Sequence, residues 1–446
     1  MMGFHRRRIA LWRVALVAAA TLGGGLPGVP EARAADADRA LAKELGLDLD
    51  QNRIQFHDAR ALAPLRAAWK QARNRGLRVV HLGDSHVQAG ISTRALRTVL
   101  KAAVGDGGYG LIFPYSVAKT YAPDDYTSTY TGSWECGNSR VLPPKVPVGV
   151  LGYACRTTKK GASFTITFRN EIPATWRELW LFVTRQARRF DLEVSAGGRS
   201  VLARVEPASA KAPPYVRVRL PPVGDSITVR LARLSERAAA FEFEGMSLTA
   251  PGGQGAVVHA AGLGGAQFRA VLHEEFFERQ LAALHPDLVI IDYGTNDYFY
   301  DDVVRPELQR TIRKVIQRVR DAAPNAAIVL TSAQDLYSKG RNVTSGPAFS
   351  GLIERIAGEE GCAFWDWFWI AGGPATLMAW QERGLARKDG VHLTARGYEL
   401  KGRLLGEAFQ RTIEWMNAHR AANSLVFERK ASPRPIPMEK VEPDAP

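Results

Sequence analysis

The stretch at residues 77–85 constrains the fold of this chain more than any other. Its apolar, β-branched run at 77–82 is typical of a buried strand, and it breaks into Gly83-Asp84-Ser85 just ahead of a segment with helical spacing. In α/β proteins, ligands bind beyond the carboxyl ends of parallel strands, where backbone N–H groups of the next turn can face negative charge. Because Gly, Asp and Ser are also common in ordinary turns, this stretch alone leaves the function of Ser85 open.

Further along the chain, apolar strands alternate with helical patterns. After residue 255, strands are predicted at 256–260, 288–293, 327–331 and 363–365, and helices at 266–284, 305–322, 349–359 and 394–415. This alternation predicts an α/β domain with a parallel sheet and helices on both faces. A largely helical segment is predicted at 36–73, and a flexible glycine-rich loop at 105–110.

The segment from about 120 to 250 has a different pattern, with short alternating strands separated by Gly, Pro and Ser. Such a pattern predicts an antiparallel β-sandwich inserted after the first βα unit. The predicted organisation is therefore a leader at 1–34, an α/β domain in two parts at 35–119 and 251–425, the insertion at 120–250, and a disordered tail at 426–446.

The first 34 residues have the pattern of an export signal. Three arginines at 6–8 precede an apolar run at 9–22, and Ala32-Arg33-Ala34 offers small residues at the spacing that a signal peptidase needs. An uncleaved membrane anchor is the alternative, but the run contains Arg13 and is shorter than the ~20 apolar residues that span a bilayer. We therefore expect a periplasmic or exported protein with no stable membrane insertion after cleavage.

The formal net charge of the chain is +14, and loss of the leader would leave about +10. The Lys and Arg residues are spread along the chain and no nucleic-acid-binding motif accompanies them, so nucleic acid is not predicted as a partner. A basic exported protein is better suited to anionic envelope polymers. In an oxidising compartment Cys136 and Cys155 could form a disulfide, whereas Cys362, at the start of an apolar strand, is expected to be a buried thiol.

Two later stretches resemble the one at 77–85, because in each of them polar residues follow a strand or lie in a loop. Gly-Thr-Asn-Asp at 294–297 follows an apolar strand, and Asn296 could point an amide N–H at a substrate oxygen. In Asp-Gly-Val-His at 389–392, the carboxylate can bind one imidazole nitrogen and leave the other free to take a proton from a hydroxyl. Alone, each could be an ordinary turn, the second ahead of a helix cap at Thr394. Together with Ser85 they supply a nucleophile, a base, an orienting acid and an oxyanion donor.

These motifs occur in the order found in the SGNH, or GDSL-type, hydrolase superfamily, which the chain resembles. The glycine-rich stretch at 261–266 lies where that superfamily has its oxyanion-hole glycine. The resemblance implies a three-layer αβα, flavodoxin-like domain. The site residues that it implies are Ser85 as nucleophile, His392 as general base and Asp389 as its orienter, with the oxyanion held by the backbone N–H groups of Ser85 and Gly265 and by the side chain of Asn296.

A closer resemblance is to bacterial peptidoglycan O-acetylesterases, which have histidine directly after Gly-Asp-Ser, as this chain does at His86. Stretches 107–110, 364–367 and 372–380 also resemble that group, and the insertion is similar in position and pattern to a carbohydrate-binding module. This implies an exported serine esterase that removes acetyl groups from an O-acetylated glycan, above all peptidoglycan, without metal or organic cofactor. Two alternatives remain open: an O-acetyltransferase that uses the same acyl-enzyme, and a non-catalytic glycan-binding protein.

Several neighbouring residues have ordinary structural interpretations. His86 is expected to pack or to fix a loop rather than to act as the base, and Asp84 to brace the turn. His81 and His259 lie on apolar strands and are expected to be hydrogen-bonded core histidines. The aromatic cluster at 365–369 could form a sugar-stacking platform, but a core role is favoured because aromatic residues at a strand end more often belong to the core.

Overall fold

The computed structural model describes residues 40–427, apart from 185, 210, 236–239 and 300–304. The predicted leader at 1–34 and nearly all of the predicted tail at 426–446 lie outside these residues. The helices are α1 Ala63–Arg75, α2 Ser85–Gln88, α3 Ile91–Val104, α4 Phe268–Val271, α5 Phe277–Ala283, α6 Thr295–Tyr298, α7 Pro306–Ala322, α8 Gly346–Glu359, α9 Trp367–Ile370, α10 Leu377–Glu382 and α11 Ala395–Ala418. Short 3-10 helices at Leu49–Gln51 and Ala59–Leu62 precede α1.

The strands follow the chain in two groups. Those up to the end of the insertion are β1 Leu77–Gly83, β2 Gly108–Ile112, β3 Tyr126–Thr131, β4 Glu135–Asn138, β5 Tyr153–Thr157, β6 Ser163–Phe168, β7 Glu178–Phe182, β8 Phe190–Ala196, β9 Arg199–Val205, β10 Tyr215–Arg219, β11 Ser226–Leu234, β12 Phe241–Phe243 and β13 Gly245–Thr249. Those after it are β14 Ala256–Gly262, β15 Leu288–Asp292, β16 Ala327–Thr331, β17 Tyr337–Ser338, β18 Arg341–Asn342 and β19 Ala363–Trp365.

A parallel sheet in the order β14-β1-β15-β16-β19 forms the centre of the α/β part. The strands are nearly continuous runs of buried residues, as expected where helices cover both faces of a sheet. In the register of this sheet Gly83 lies opposite both Gly262 and Asp292. The three turns that follow β1, β14 and β15 therefore meet at one edge, which confirms the predicted α/β architecture.

Helices α3 and α11 pack against each other beside this edge. Gly402 and Gly406 allow the close approach, because a methyl group on Gly402 would lie 2.1 Å from the carbonyl oxygen of Ser92 and one on Gly406 2.7 Å from Cβ of Val99. The long helix that begins just after His392 is thereby fixed against the helix that follows Ser85.

The insertion consists of antiparallel sheets in the orders β3-β6-β11-β8-β9, β10-β7-β13-β2 and β12-β5-β4. In β6 the side chains of Phe164, Ile166 and Phe168 are buried while those between them are more exposed, which is the alternation that the sequence shows. Residues of the insertion share one hydrophobic core with Val80 and Leu82 of β1. The extra antiparallel sheets fit the predicted sandwich, although β3, β4, β5 and β13 were not predicted individually.

Two local predictions are wrong, and a third holds only in part. The glycine-rich segment predicted as a loop contains β2, which pairs with β13 and is buried, because glycines permit close backbone pairing without an apolar pattern. The segment at 36–73 is helical over most of its described residues, but the helical pieces are interrupted where Gln55 forms an antiparallel bridge with Phe364 at the outer strand of the central sheet. The helix at 266–284 is split into α4 and α5 around a turn in which Phe276 N–H donates to the carbonyl of Val148.

The cysteine predictions are confirmed. Cys136 on β4 and Cys155 on β5 lie opposite each other and form a disulfide, and Cys362 is a buried free thiol. Within residues 40–427 as described, no helix is both long and apolar enough to cross a membrane.

Candidate active site

Ser85 lies at the sharp turn between β1 and α2. Asp84 caps the short helix by accepting a hydrogen bond from the backbone N–H of His86 at 3.0 Å, so it braces the turn as predicted. Ser85 is 8 % exposed and lines a cleft of about 590 Å³. Its hydroxyl is therefore accessible from the cleft while its backbone is held by the turn.

The structure brings His392 and Asp389 to this serine. The Nε2 atom of His392 lies 3.0 Å from Ser85 Oγ, and its Nδ1 atom lies 2.9 Å from Asp389 Oδ2. The other carboxylate oxygen, Oδ1, accepts hydrogen bonds from the backbone N–H groups of Val391 and His392, both at 2.9 Å. Partial burial acts to raise the pKa of Asp389, but these backbone hydrogen bonds and the imidazole outweigh it and hold that pKa below its ordinary value. The ionised carboxylate can therefore orient the imidazole with Nε2 towards the serine.

The loop that carries His392 is fixed from two sides. Arg387 N–H donates to the carbonyl of His392 at 2.7 Å, and the side-chain amide of Gln334 donates to the carbonyl of Val391 at 2.8 Å. Thr394 caps α11 through a hydrogen bond from the N–H of Gly397. The sequence suggested the cap but gave no sign of Gln334, which follows β16 without a recognisable motif.

The predicted oxyanion donors line the same cleft as Ser85. Gly265 has φ +74°, a conformation that favours glycine, and the structure records no partner for the backbone N–H groups of Ser85 and Gly265 among the described residues. The Asn296 amide donates to the carbonyl of Ala266 at 3.0 Å and to Asp84 Oδ2 at 3.3 Å. An oxyanion could take the hydrogen that now makes the longer of these two bonds.

His86 is buried behind His392 rather than open to the cleft. Its Nδ1 atom lies 2.8 Å from the Tyr398 hydroxyl, Gln334 Nε2 lies 3.2 Å from its Nε2, and its ring centroid is 5.3 Å from that of His392. Burial is the main cause that lowers the pKa of His86 well below its ordinary value, so the ring is neutral. These contacts agree with the predicted packing role.

A buried ionic cluster lies under the site and was not predicted from the sequence. Lys401 of α11 is 1 % exposed, and its Nζ lies 2.8 Å from Asp292 Oδ2. Asp292 also contacts His81 Nε2 at 3.2 Å and accepts from Thr331 Oγ1 at 2.6 Å. Burial acts to raise the pKa of Asp292, but Lys401 and His81 overcome it and keep that pKa far below the ordinary value. The sequence feature that could have indicated this cluster is Lys401 itself, a lysine on the apolar face of the last helix.

The other side-chain predictions have mixed outcomes. His81 is hydrogen-bonded, its Nδ1 lying 3.0 Å from Thr93 Oγ1, but His259 Nδ1 is buried with no hydrogen-bond partner among the described residues, so that prediction is wrong for His259. Trp365 and Trp367 are fully buried and stack on each other, which confirms the core interpretation over a sugar platform. Within the described part of the chain, no group of three or more His, Cys, Asp or Glu residues is arranged to hold a metal ion.

One wall of the cleft comes from the segment predicted as an insertion. The cleft residues from that segment are Thr120, Tyr121, Ala122, Asp124, Arg140 and Tyr153. The antiparallel part of the molecule therefore shapes the space in front of Ser85, a role that its resemblance to a binding module did not suggest.

Part of the sequence and most of the fold resemble known proteins. Residues 223–400 match the GDSL-like lipase/acylhydrolase family, a range that includes Asn296, Asp389 and His392 but begins after Ser85. No curated protein matches the chain. The chain is similar in structure to a protein described as "Peptidoglycan O-acetylesterase in action, 5 min", with a TM-score of 0.66 and 22 % identity over 83 % of this chain and 99 % of that one.

Two further similarities each cover about a third of the chain. A lipase/acylhydrolase from Enterococcus faecalis has a TM-score of 0.28 and 18 % identity, covering 34 % of this chain and 75 % of that one. An acetylxylan esterase from Geobacillus stearothermophilus has a TM-score of 0.28 and 22 % identity, covering 35 % and 75 %. Residues 223–400 therefore resemble the GDSL-like lipase/acylhydrolase family in sequence, and the fold of the chain resembles that of a peptidoglycan O-acetylesterase.

Proposed function

We propose that this protein is an exported carbohydrate esterase that removes O-acetyl groups from an envelope glycan, with peptidoglycan as its polymer. The observation that carries the proposal is the continuous hydrogen-bonded line from Asp389 through His392 to Ser85, open to a cleft. A fold similar to that of a peptidoglycan O-acetylesterase and a basic chain support the choice of substrate.

In the proposed reaction, His392 Nε2 takes the proton of Ser85 Oγ as that oxygen attacks the acetyl carbonyl. The negative charge that develops on the carbonyl oxygen is stabilised by the backbone N–H groups of Ser85 and Gly265 and by the Asn296 amide. His392 then donates its proton to the departing sugar oxygen, which leaves an acetyl group on Ser85. Water attacks this ester as His392 takes its proton, acetate departs, and Ser85 recovers its hydroxyl.

The test is acetate release by the purified protein from O-acetylated peptidoglycan, with acetylated xylan as a comparison polymer and Ser85→Ala as the inactive variant. We expect release from peptidoglycan that is lost in Ser85→Ala. If a small acetyl ester is cleaved through Ser85 while neither polymer loses acetate, the esterase chemistry stands and the polymer is wrong. If the wild type cleaves no acetyl ester, the proposed hydrolysis is wrong, and acetyl transfer to a sugar or glycan binding alone must be assayed instead.

The export part of the proposal depends on the N-terminal pattern alone. We expect mature protein isolated from the periplasm to begin near residue 35, after Ala32-Arg33-Ala34. N-terminal sequencing that finds the leader still attached in an active protein would contradict cleavage.

A further inference from the structure

Two arginines lie in the cleft with Ser85 and come from different parts of the chain. Arg140 follows β4 in the antiparallel part, and Arg387 lies on the loop that carries His392. Neither residue belongs to the motifs that identify the hydrolase. Their shared position in front of the serine raises the question of what they bind.

Arg140 lies directly beside the predicted oxyanion donor. A methyl group built on Gly265 would lie 2.5 Å from Arg140 Nη1, so the guanidinium occupies the space above that glycine. The residue before Arg140 is firmly anchored, since Ser139 is fully buried, with its N–H donating to the carbonyl of Gly152 at 3.0 Å and its hydroxyl donating to Glu274 Oε1 at 3.1 Å. The fold therefore fixes the base of Arg140 next to the reacting centre.

Arg387 approaches from the side of the base. Its backbone N–H holds the carbonyl of His392 at 2.7 Å, so its Cα cannot move away without moving the imidazole. Tyr121, whose hydroxyl lies 3.4 Å from the carbonyl of Ser85, lines the cleft together with both arginines. Burial raises the pKa of the Tyr121 phenol, while the charges of Arg140 and Arg387 both act to lower it. Both guanidinium charges therefore act on the same phenol in the wall of the cleft.

Neither guanidinium is neutralised within the described part of the chain. No carboxylate there forms an ion pair with Arg140 or Arg387, although arginines elsewhere in it form many. The acidic residue on the cleft wall, Asp124, is already paired with Arg94, and Asp389 is engaged by His392. The cleft therefore carries two uncompensated positive charges in front of the serine.

We propose that Arg140 and Arg387 form a carboxylate-binding subsite beside Ser85, so that the preferred substrate is an acetylated sugar that carries a carboxylate close to its ester. This inference rests on the proposed esterase function and adds the chemical class of sugar that the site selects. Guanidinium groups suit this role because their planar N–H donors match the two oxygens of a carboxylate. The carboxylate could belong to the lactyl ether of a muramic acid that carries no stem peptide, because an attached peptide converts this carboxylate to a neutral amide. It could equally belong to a uronic acid, which presents the same group.

The test compares matched esters with and without the carboxylate. One pair is 6-O-acetyl-N-acetylmuramic acid and the same sugar with its lactyl carboxyl converted to a primary amide, and the other is an acetylated methyl glucuronoside and the corresponding methyl glucoside. The selectivity is the ratio of kcat/KM for the anionic ester to that for its neutral partner. We expect a ratio well above one in the wild type for one of the pairs, which identifies the source of the carboxylate.

The variants are Arg140→Gln, Arg387→Gln and, as a matched control, Arg199→Gln on the exposed strand β9, outside the cleft. Each cleft variant is expected to lower the selectivity ratio about tenfold or more, the effect of losing one charge-assisted hydrogen bond. Arg199→Gln is expected to leave the ratio unchanged, because it removes the same charge elsewhere. An equal fall in all three variants would overturn the proposal, since that would indicate only a change in net charge.

Binding to Ser85→Ala tests the subsite without catalysis. By calorimetry or NMR titration, Ser85→Ala should bind the anionic ester more tightly than the neutral one, and the added Arg140→Gln or Arg387→Gln should abolish that preference. If Ser85-dependent hydrolysis is found but neither binding nor kcat/KM favours the anionic ester, the subsite is wrong and the proposed function stands. If no acetyl ester is hydrolysed, the proposed function fails, and the binding preference alone decides whether the subsite exists.

Discussion

Replacement of Asp389 by asparagine should impair the enzyme more than its replacement by alanine. The backbone N–H groups of Val391 and His392 both donate to Oδ1, at 2.9 Å. An asparagine must keep its carbonyl oxygen at that position, which turns its NH₂ group towards His392 Nδ1, where the carboxylate oxygen Oδ2 now lies at 2.9 Å. The Nδ1 atom would then have to accept a hydrogen bond, and the imidazole proton would move to Nε2. In that tautomer His392 cannot take the proton of Ser85.

The expected magnitudes follow from these contacts. Asp389→Ala removes one charge-assisted hydrogen bond to the imidazole, of about 1.5–3 kcal/mol, but imposes no wrong tautomer, so kcat/KM should fall about 10- to 150-fold. The Asp389 side chain is 44 % exposed, which places the loss nearer the lower value because water can replace part of the interaction. Asp389→Asn should lower kcat towards the ~10⁴-fold loss that a reversed tautomer causes in a serine hydrolase triad.

The assay is steady-state hydrolysis of 4-nitrophenyl acetate, which separates kcat from KM, with thermal melting to show that each variant is folded. Asp106→Asn is a matched control, since Asp106 pairs with Lys101 outside the cleft. The reasoning would be refuted if Asp389→Asn retained as much activity as Asp389→Ala, because the two backbone donors would then not fix the orientation of the side chain.

Three further predictions concern the surroundings of the site. Gly265→Ala should lower the free energy of unfolding, measured in urea, by about 1–2 kcal/mol, because φ +74° disfavours a side chain. It should also lower esterase activity, because the new methyl group would displace Arg140. Unchanged stability and activity would contradict this geometry. Lys401→Met should destabilise the protein by about 3–5 kcal/mol, because it leaves Asp292 buried without its ammonium partner. Adding Asp292→Asn to this variant should recover part of the lost stability. An unaltered urea midpoint in Lys401→Met would refute the stabilising role of the pair. The third prediction concerns the pKa of Asp389, which is lower in the folded protein than the ordinary value of 3.8. The contribution of Asp389 to the free energy of unfolding should therefore be complete above pH 3.8 and be lost only as the pH falls through the lower pKa of the folded state. A carboxyl NMR titration of Asp389 with a midpoint above pH 3.8 would contradict this prediction.

The sequence was informative where local pattern decides the outcome. The bounds predicted for β16 and β19 agree with the structure, since each is an apolar run between turns. The convergence of Ser85, Gly265 and Asn296 on one cleft followed from the rule that the carboxyl ends of parallel strands share an edge. The order of the motifs predicted that His392 is the base for Ser85. The two residues lie far apart in the sequence, so their separation alone does not indicate that they are in contact.

The remaining features depend on contacts between distant segments. Strand β2 forms because β13, far along the chain, pairs with its glycine-rich backbone. Gln334 and Lys401 act through partners that only the tertiary structure brings near, Val391 and Asp292. Arg140 reaches the cleft because the antiparallel segment folds against the α/β sheet. No hydrophobic periodicity in the sequence predicts that contact.

The most direct test of the proposed mechanism is to find the acetyl group on the protein. The purified protein is mixed with O-acetylated peptidoglycan, quenched in acid within the first turnovers, digested and analysed by mass spectrometry. We expect an acetyl group on Ser85 in the peptide that contains residues 83–86, and none in Ser85→Ala. Continued release of acetate with the acetyl group on another residue, or release that persists in Ser85→Ala, would contradict the central role of Ser85.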